Sequence, residues 1–121
     1  MARKIKGILI HAEKQTVEEI ELENTLENYY RLLDCNCITA PSYDTSHDVI
    51  VDDEGLLRSD PPLFELGGQI YAGSGLLVGV NMAKGDWISH SLDLSEIRRQ
   101  IRFVRFIRIN GQILKLVHFP R

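Results

Sequence analysis

Residues 47–57, HDVIVDDEGLL, leave the chain few choices. Val49 and Val51 alternate with Asp48, Ile50 and Asp52, the period of a strand with one packed face and one mixed face. Three consecutive acids, Asp52, Asp53 and Glu54, then stop it. Gly55 tolerates positive φ in the turn, and Leu56-Leu57 return apolar weight to the core at once.

The remaining segments supply partners for that strand. Lys4–His11 (KIKGILIH) carries Ile5, Ile8 and Ile10 and suits a central position. Residues 17–22 (VEEIEL) read as a second strand, hairpinned onto the first through Glu13-Lys14-Gln15, although the irregular period also fits a helical turn. Asn24, with Glu27 three positions later, predicts a capped helix that carries Leu26, Tyr29, Tyr30, Leu32 and Leu33 and ends near Asp34. Residues 35–40 (CNCITA) alternate again until Pro41-Ser42, and Asp60-Pro61-Pro62 is a loop. Residues 76–80 (LLVGV) predict a buried strand in which Gly79 lets another element approach closely. Asp93 and Glu96 cap a second helix, with Leu94, Ile97, Ile101 and Val104 at helical spacing. Asn110-Gly111 between alternating apolar runs predicts a hairpin with a type I′ turn.

At 121 residues and 44% hydrophobic, the chain can build one core. The expected fold is therefore α+β, a single domain over residues 1–121, with a core at about 4–103 and a C-terminal hairpin at 104–118. Its strands at Lys4–His11, 35–40, 49–52 and 76–80 are expected to form one mostly antiparallel sheet with both helices packed on one face.

Charge is segregated along the chain. Residues 12–65 hold fourteen acids against Lys14, Arg31 and Arg58, a local charge of −11, whereas residues 98–121 hold seven cations and no acid. A fold either fuses such poles or displays them separately. The overall charge of −3 weakens a direct nucleic-acid role, and Phe103, Phe106 and Phe119 are the nearby aromatics of the basic region.

The arginines at 98, 102 and 105 occupy an i, i+4, i+7 stripe if the second helix continues, and Arg108 follows on the hairpin. The bland reading is a solvated face whose late arginines complement the helix dipole. The sharper one is a phosphate-binding patch with bidentate contacts, to which the turns at Gly73 and Gly75 add backbone N–H groups. Asp52, Asp53 and Glu54 stand as supporting residues, able to neutralise the arginines within the monomer. Gly73, Gly75 and Gly79 make a GxGxxxG run, but a strand follows it, not the opening of a helix, so a dinucleotide loop is not expected.

Enzyme chemistry finds little support. Three adjacent acids at a strand end usually make a solvated turn, and Ser89-His90-Ser91 on an extended chain point to alternating faces. Cys35 and Cys37 stand two positions apart, roughly 6.6 Å along a strand, with parallel Cβ vectors that suit free thiols. A thiol of this pair with His47 as its base is conceivable, and buried core is the commoner reading. His11, His47, His90 and His118 are too scattered to complete a zinc site with two cysteines. No catalytic residue, metal or cofactor is expected. The opening has no signal-like segment, no apolar run reaches membrane length, and a reducing cytoplasm is the expected compartment.

The order of the opening strand, the TVEEIEL element, the short helix, VDDEGLL, the glycine-containing LLVG strand and the SLDLSEIRRQIRF helix resembles a family of small bacteriophage and plasmid proteins, a domain of unknown function. The resemblance covers about residues 4–103, and the hairpin looks like an addition to it. It implies a mobile-element origin and a bacterial host cytoplasm, and no activity. Three roles stay open, all suited to countering host defence. The leading one is sequestration of a small anionic, nucleotide-derived ligand. The second is inhibition of a host defence or transcription protein through one charged pole. The third is nucleic-acid binding or DNA mimicry. The amphipathic terminal strand at 112–117 (QILKLV) is also a candidate unprotected edge, from which a homodimer is expected.

Overall fold

Hairpins between neighbouring segments build most of the molecule. The computed structural model describes residues 3–57 and 60–120. Arg58 and Arg121, counted in the two charge poles, lie outside the described residues. The elements run β1 (Lys4–His11), β2 (Thr16–Glu23), α1 (Leu26–Leu33), β3 (Ile38–Thr39), β4 (Ser42–Asp44), β5 (His47–Asp52), a 3-10 turn at Gly55–Leu57 and β6 (Leu63–Leu66). They continue with β7 (Gln69–Ala72), β8 (Ser74–Asn81), β9 (Asp86–Ile88), α2 (Leu94–Gln100), β10 (Arg102–Ile109) and β11 (Gln112–His118). One sheet has the order β2-β1-β8-β5-β3, with β4 added beside β5 and β9 beside β8; a second has the order β11-β10-β6-β7. All the pairings are antiparallel.

Strand alternation assigns the two faces of the larger sheet. Ile5, Leu9, Ile50, Leu76 and Val78 face α1, where Tyr29 and Leu33 close the layer. Ile8, Ile10, Val49, Val51 and Leu77 face the other way, against Phe64, Leu66 and Phe103 of the second sheet and Ile97 of α2. The strand at 49–52 is consequently buried on both sides in its middle, since Ile50 is as fully enclosed as Val49. The α+β architecture stands, with two corrections. The sheet is divided in two, and the helices cover opposite faces of the larger one, because consecutive residues of β1, β5 and β8 are apolar on both sides and each side needs cover.

The strands expected at Lys4–His11, 35–40, 49–52 and 76–80 all contribute to the larger sheet, although only Ile38–Thr39 of the second segment pairs. The 17–22 segment is a strand, not a helical turn. Asn24 does not cap α1; Thr25 does, accepting from the Asn28 N–H. The Asn24 side chain instead donates to the Trp87 carbonyl and accepts from the Tyr29 hydroxyl, tying α1 to β9. Asp93 caps α2 as its sequence predicts, accepting from the N–H groups of Ser95 and Glu96.

The second helix is shorter than its periodicity. It ends at Gln100, Ile101 is extended, and Arg102, Phe103 and Val104 pair with Glu65, Phe64 and Leu63. Ile97, Ile101 and Phe103 reach one core cluster across this change of conformation, so burial fits a helix followed by a strand as well as one long helix. Tertiary pairing with β6 decides between them. The β6–β7 hairpin itself, turned at Gly67-Gly68 with φ of 59° and 80°, is not among the expected strands. The Asn110-Gly111 turn has φ of 52° and 80°, as a type I′ hairpin requires.

Two glycines of β8 set the spacing on its inner face. A Cβ at Gly75 would lie 2.5 Å from Phe64 Cζ, and one at Gly79 would lie 2.5 Å from the Ser89 carbonyl oxygen. Gly75→Ala is therefore expected to lower stability by about 1–3 kcal/mol in urea unfolding, as overpacked cores do. Phe64→Leu in the same chain should recover part of that loss, so the double variant costs less than the sum of the two singles. Strict additivity would show that the two positions do not meet.

Candidate functional site

The four arginines of the sequence pattern go to different places. Only Arg98 is on α2, and its Nε and Nη2 donate to the Val17 carbonyl at 3.0 and 2.8 Å, pinning the helix to β2. Arg102 begins β10, donates to the carbonyls of Arg99 and Ile101, and lays its guanidinium 4.5 Å from the centre of the Phe119 ring. Arg105, an odd number of positions along the same strand, leaves the opposite face and borders a depression with Glu13, Asp60 and His118. Arg108 is exposed near the hairpin turn, opposite Ile113. The stripe is thus corrected to two neighbours, Arg98 and Arg102, and two separate cations, because the helix ends before it can align them.

The glycines are not a phosphate cradle either. Gly73, at φ 78°, already donates its N–H to the Pro62 carbonyl at 2.8 Å. Gly75 lies inside β8, paired with Ile10 on one side and Val51 on the other, with Phe64 over it. Gly73 and Asp52 line a cavity of about 280 Å³ together with Glu13, Asp34 and Asp60. Those four acids repel a phosphate from the place where the glycines were expected to attract it. Asp52 also accepts from the Glu54 N–H at 2.9 Å, the turn expected at 52–55, while Asp53 borders a different depression beside Tyr71.

The cysteine and histidine candidates are separated by the sheet. Cys35 packs in the α1-side cluster, whereas His47 leaves β5 toward α2, so the pair does not form a thiol–imidazole couple. His47 makes an arrangement that adjacent residues could not announce. The Ser91 N–H donates to its Nε2 at 3.1 Å, which leaves the proton on Nδ1 to be donated to Asp44 Oδ1 at 2.9 Å. Ser91 Oγ lies 3.3 Å from the same Nε2, so Asp44, His47 and Ser91 stand in the order of a hydrolytic triad.

The chemistry differs from that likeness. The lone pair a base would use on the Ser91 hydroxyl is engaged by the Ser91 main chain. His47 is 4% exposed and Asp44 is exposed, whereas a hydrolytic triad buries its acid behind the imidazole. We read this node as a tie between β5 and the segment entering α2. His90 makes a second tie, accepting from the Leu92 N–H and facing Glu19 of β2 at 3.3 Å. Asp44 feels the node. Partial burial pushes its carboxyl up, and the Ser46 N–H together with His47 outweighs this, holding it below the ordinary aspartate value of 3.8. Among the described residues, no three His, Cys, Asp or Glu side chains are placed to hold a metal ion. No described helix is long and apolar enough to cross a membrane.

Among the described residues, most of the exposed large hydrophobic side chains lie on the hairpin beyond Val104: Phe106, Ile109, Ile113, Leu114, Leu116 and Val117. Every residue of β11 is exposed. The register sorts the side chains into two faces: Phe106, Ile113 and Val117 with Arg108 and Lys115 on one, and Ile107, Ile109, Leu114 and Leu116 with Arg105 on the other. At the base, Val104 joins Leu63 and Ala72 while Phe103 joins the main core, so the strand enters the molecule on both sides and leaves it bare on both sides. The charge poles fuse at this base, where Lys115 meets Glu65 at 3.2 Å, and separate toward the tip. The alternation of residues 103–117 signals this surface, but it was divided there between a helix and a hairpin. Arg99, beside Arg102, lies outside the stripe that the sequence pattern offers, and Phe119 enters that pattern only as an aromatic of the basic region.

A family model described as Domain of unknown function (DUF3846) matches residues 5–102. No curated protein and no solved structure matches the chain.

The tie at His47 predicts an acid limb. A carboxylate whose folded pKa lies below its unfolded one adds stability that is present above the ordinary aspartate range and is lost as the pH falls through the folded value. Asp44→Asn should therefore lower stability at neutral pH by a few tenths of a kcal/mol, a small loss because the carboxylate is largely exposed. The difference from wild type should shrink as the pH falls below the ordinary value of 3.8 and vanish below the lower folded value. Urea melts at a series of pH values measure it, and a difference that persists in acid would remove Asp44 from the tie.

Proposed function

We propose that this chain, which belongs to the DUF3846 family, is a binding protein that inhibits a protein of its bacterial host by presenting its C-terminal hairpin to it. One observation carries the reading: a hairpin apolar on both faces and basic, whose strand β11 pairs with β10 alone among the described residues and leaves its outer edge open. Exposed strand edges recruit strands, and contiguous apolar surface marks contact sites. A finger with two apolar faces is fully covered only when a partner receives it in a groove while adding a strand to its edge.

Charge narrows the partner. Residues 98–120 contain Arg98, Arg99, Arg102, Arg105, Arg108 and Lys115 and no acid, so an acidic rim around the groove would steer the encounter. A second copy of this chain, the homodimer expected from the same edge, would bring like charges together there. The likeness of the VDDEGLL and SLDLSEIRRQIRF segments to phage and plasmid proteins supports a mobile-element origin, a host-cytoplasmic setting and a target in host defence or transcription. Sequestration of a nucleotide-derived ligand by Arg98, Arg102, Arg105, Arg108, Gly73 and Gly75 as one site has less to support it, because those residues are spread over separate surfaces.

Phe106→Glu and Leu114→Glu place an acid on each face at residues 44% and 42% exposed. The double variant should keep its fold, losing at most about 0.5 kcal/mol as surface changes do. It should abolish both the inhibitory phenotype in the host and photo-crosslinking from position 113 to the target. A dimer in light scattering that Leu114→Glu dissolves, with crosslinks formed only to itself, would replace the host target by a second copy.

A further inference from the structure

A separate corner, formed where α2 meets the end of the chain, has a different chemistry from the hairpin. Arg98, Arg99, Arg102, Phe119 and Pro120 line an open depression there. Arg98 and Arg102 spend only part of their donors. Arg98 uses Nε and Nη2 on one carbonyl, and Arg102 uses Nη1 on two, which leaves Arg98 Nη1 and Arg102 Nη2 unassigned to any protein acceptor among these bonds. The carbonyl contacts hold both guanidiniums in place, so their remaining donors are ordered before any ligand arrives. Phe119 is 67% exposed, with Arg102 against its ring. An aromatic ring so placed keeps π surface open, and the cation beside it favours an electron-rich partner plane.

Among the described residues, Glu96 is the acid that reaches an arginine of this corner. Glu96 pairs with Arg99 at 2.6 Å, an exposed contact of 73% and 52% accessible side chains that a stronger anion can displace. The bland account, arginines complementing the C-terminus of α2, explains Arg98 and Arg99 but not the stacking of Arg102 on a residue that follows β11.

We propose that Arg98, Arg99, Arg102 and Phe119 form a surface site for a nucleoside phosphate. The phosphate is held by the arginine donors in the depression, and the planar base stacks on the open surface of Phe119. The site uses neither Arg105 nor Arg108 nor the glycine turns, and it stands independently of the hairpin's partner. Phosphate alone should bind weakly and in a salt-dependent way, and the base should supply the selectivity.

Calorimetric titration at low salt with inorganic phosphate, ribose 5-phosphate and AMP separates these contributions. AMP is expected to bind about tenfold more tightly than ribose 5-phosphate, a ratio typical of one base stacked on one aromatic ring. Phe119→Ala should erase that ratio and leave the sugar phosphate unchanged. Arg99→Ala should weaken all three ligands, and Glu96→Gln should strengthen them by freeing Arg99. Both altered side chains at 99 and 119 are exposed, and unchanged thermal melts would establish that the variants fold. Equal affinity for AMP and ribose 5-phosphate, or indifference of all three to Arg99→Ala, would overturn the proposal. Tighter binding of a thymidine oligonucleotide than of AMP, falling steeply with salt, would overturn the small-ligand assignment in favour of a single strand.

Discussion

The contact of Phe64 with Gly75 fixes how closely the two sheets approach. Glycine within a strand costs about 0.5–1 kcal/mol relative to alanine, whereas full burial of a phenylalanine contributes about 1.5–3 kcal/mol. Phe64 is wholly buried where the glycine admits it, so the exchange favours the notch. From that contact the rest of the inner layer follows. Phe64 pairs with Phe103 of β10, Phe103 brings the end of α2 against the core, and Gly79 of β8 leaves room for the Ser89 carbonyl in the segment that leads into α2. Remove the notch and the second sheet, α2 and the base of the hairpin lose their common seat.

Local signals read well wherever a segment's neighbours in sequence are also its neighbours in space. The first hairpin, the Asp93 cap, the Asn110-Gly111 turn and the close approach at Gly79 are all of this kind. Most of what escaped depends on distant pairing, and the local exceptions are the Gly67-Gly68 hairpin and the cap at Thr25. Apolar residues at 94, 97, 101 and 104 satisfy a continuous helix, and it is pairing, with Leu63 of β6 and Val117 of β11, that puts the last of them in a strand. The arginine stripe failed for the same reason, since its geometry was borrowed from a helix that stops at Gln100. The division of the helices between two faces was legible in principle from Ile50, an apolar residue on the side expected to be mixed. The Asp44–His47–Ser91 node had half a signal, two polar residues three apart, and no signal for its third member.

Segregated charge proves to be a property of the far ends of the molecule more than of its middle. Lys115 with Glu65, and Arg105 beside Glu13 and Asp60, neutralise the junction of the two poles. The remaining cations lie at the hairpin tip and at the corner of Arg98, Arg99 and Arg102, where Glu96 pairs with Arg99. Two surfaces of one sign but different character result: the first apolar and edge-exposed, the second aromatic and rich in ordered donors.

The hairpin past Val104 has a further consequence for how such a protein can change over generations. Its side chains from Arg105 to Val117 contribute no member to the three core clusters, so replacing them leaves the packed interior as it was. A lineage can therefore vary this finger freely while the scaffold, whose family match also ends at residue 102, stays constant. Substitutions there carry almost no folding penalty, so the chemistry of this surface can be exchanged without rebuilding the scaffold beneath it.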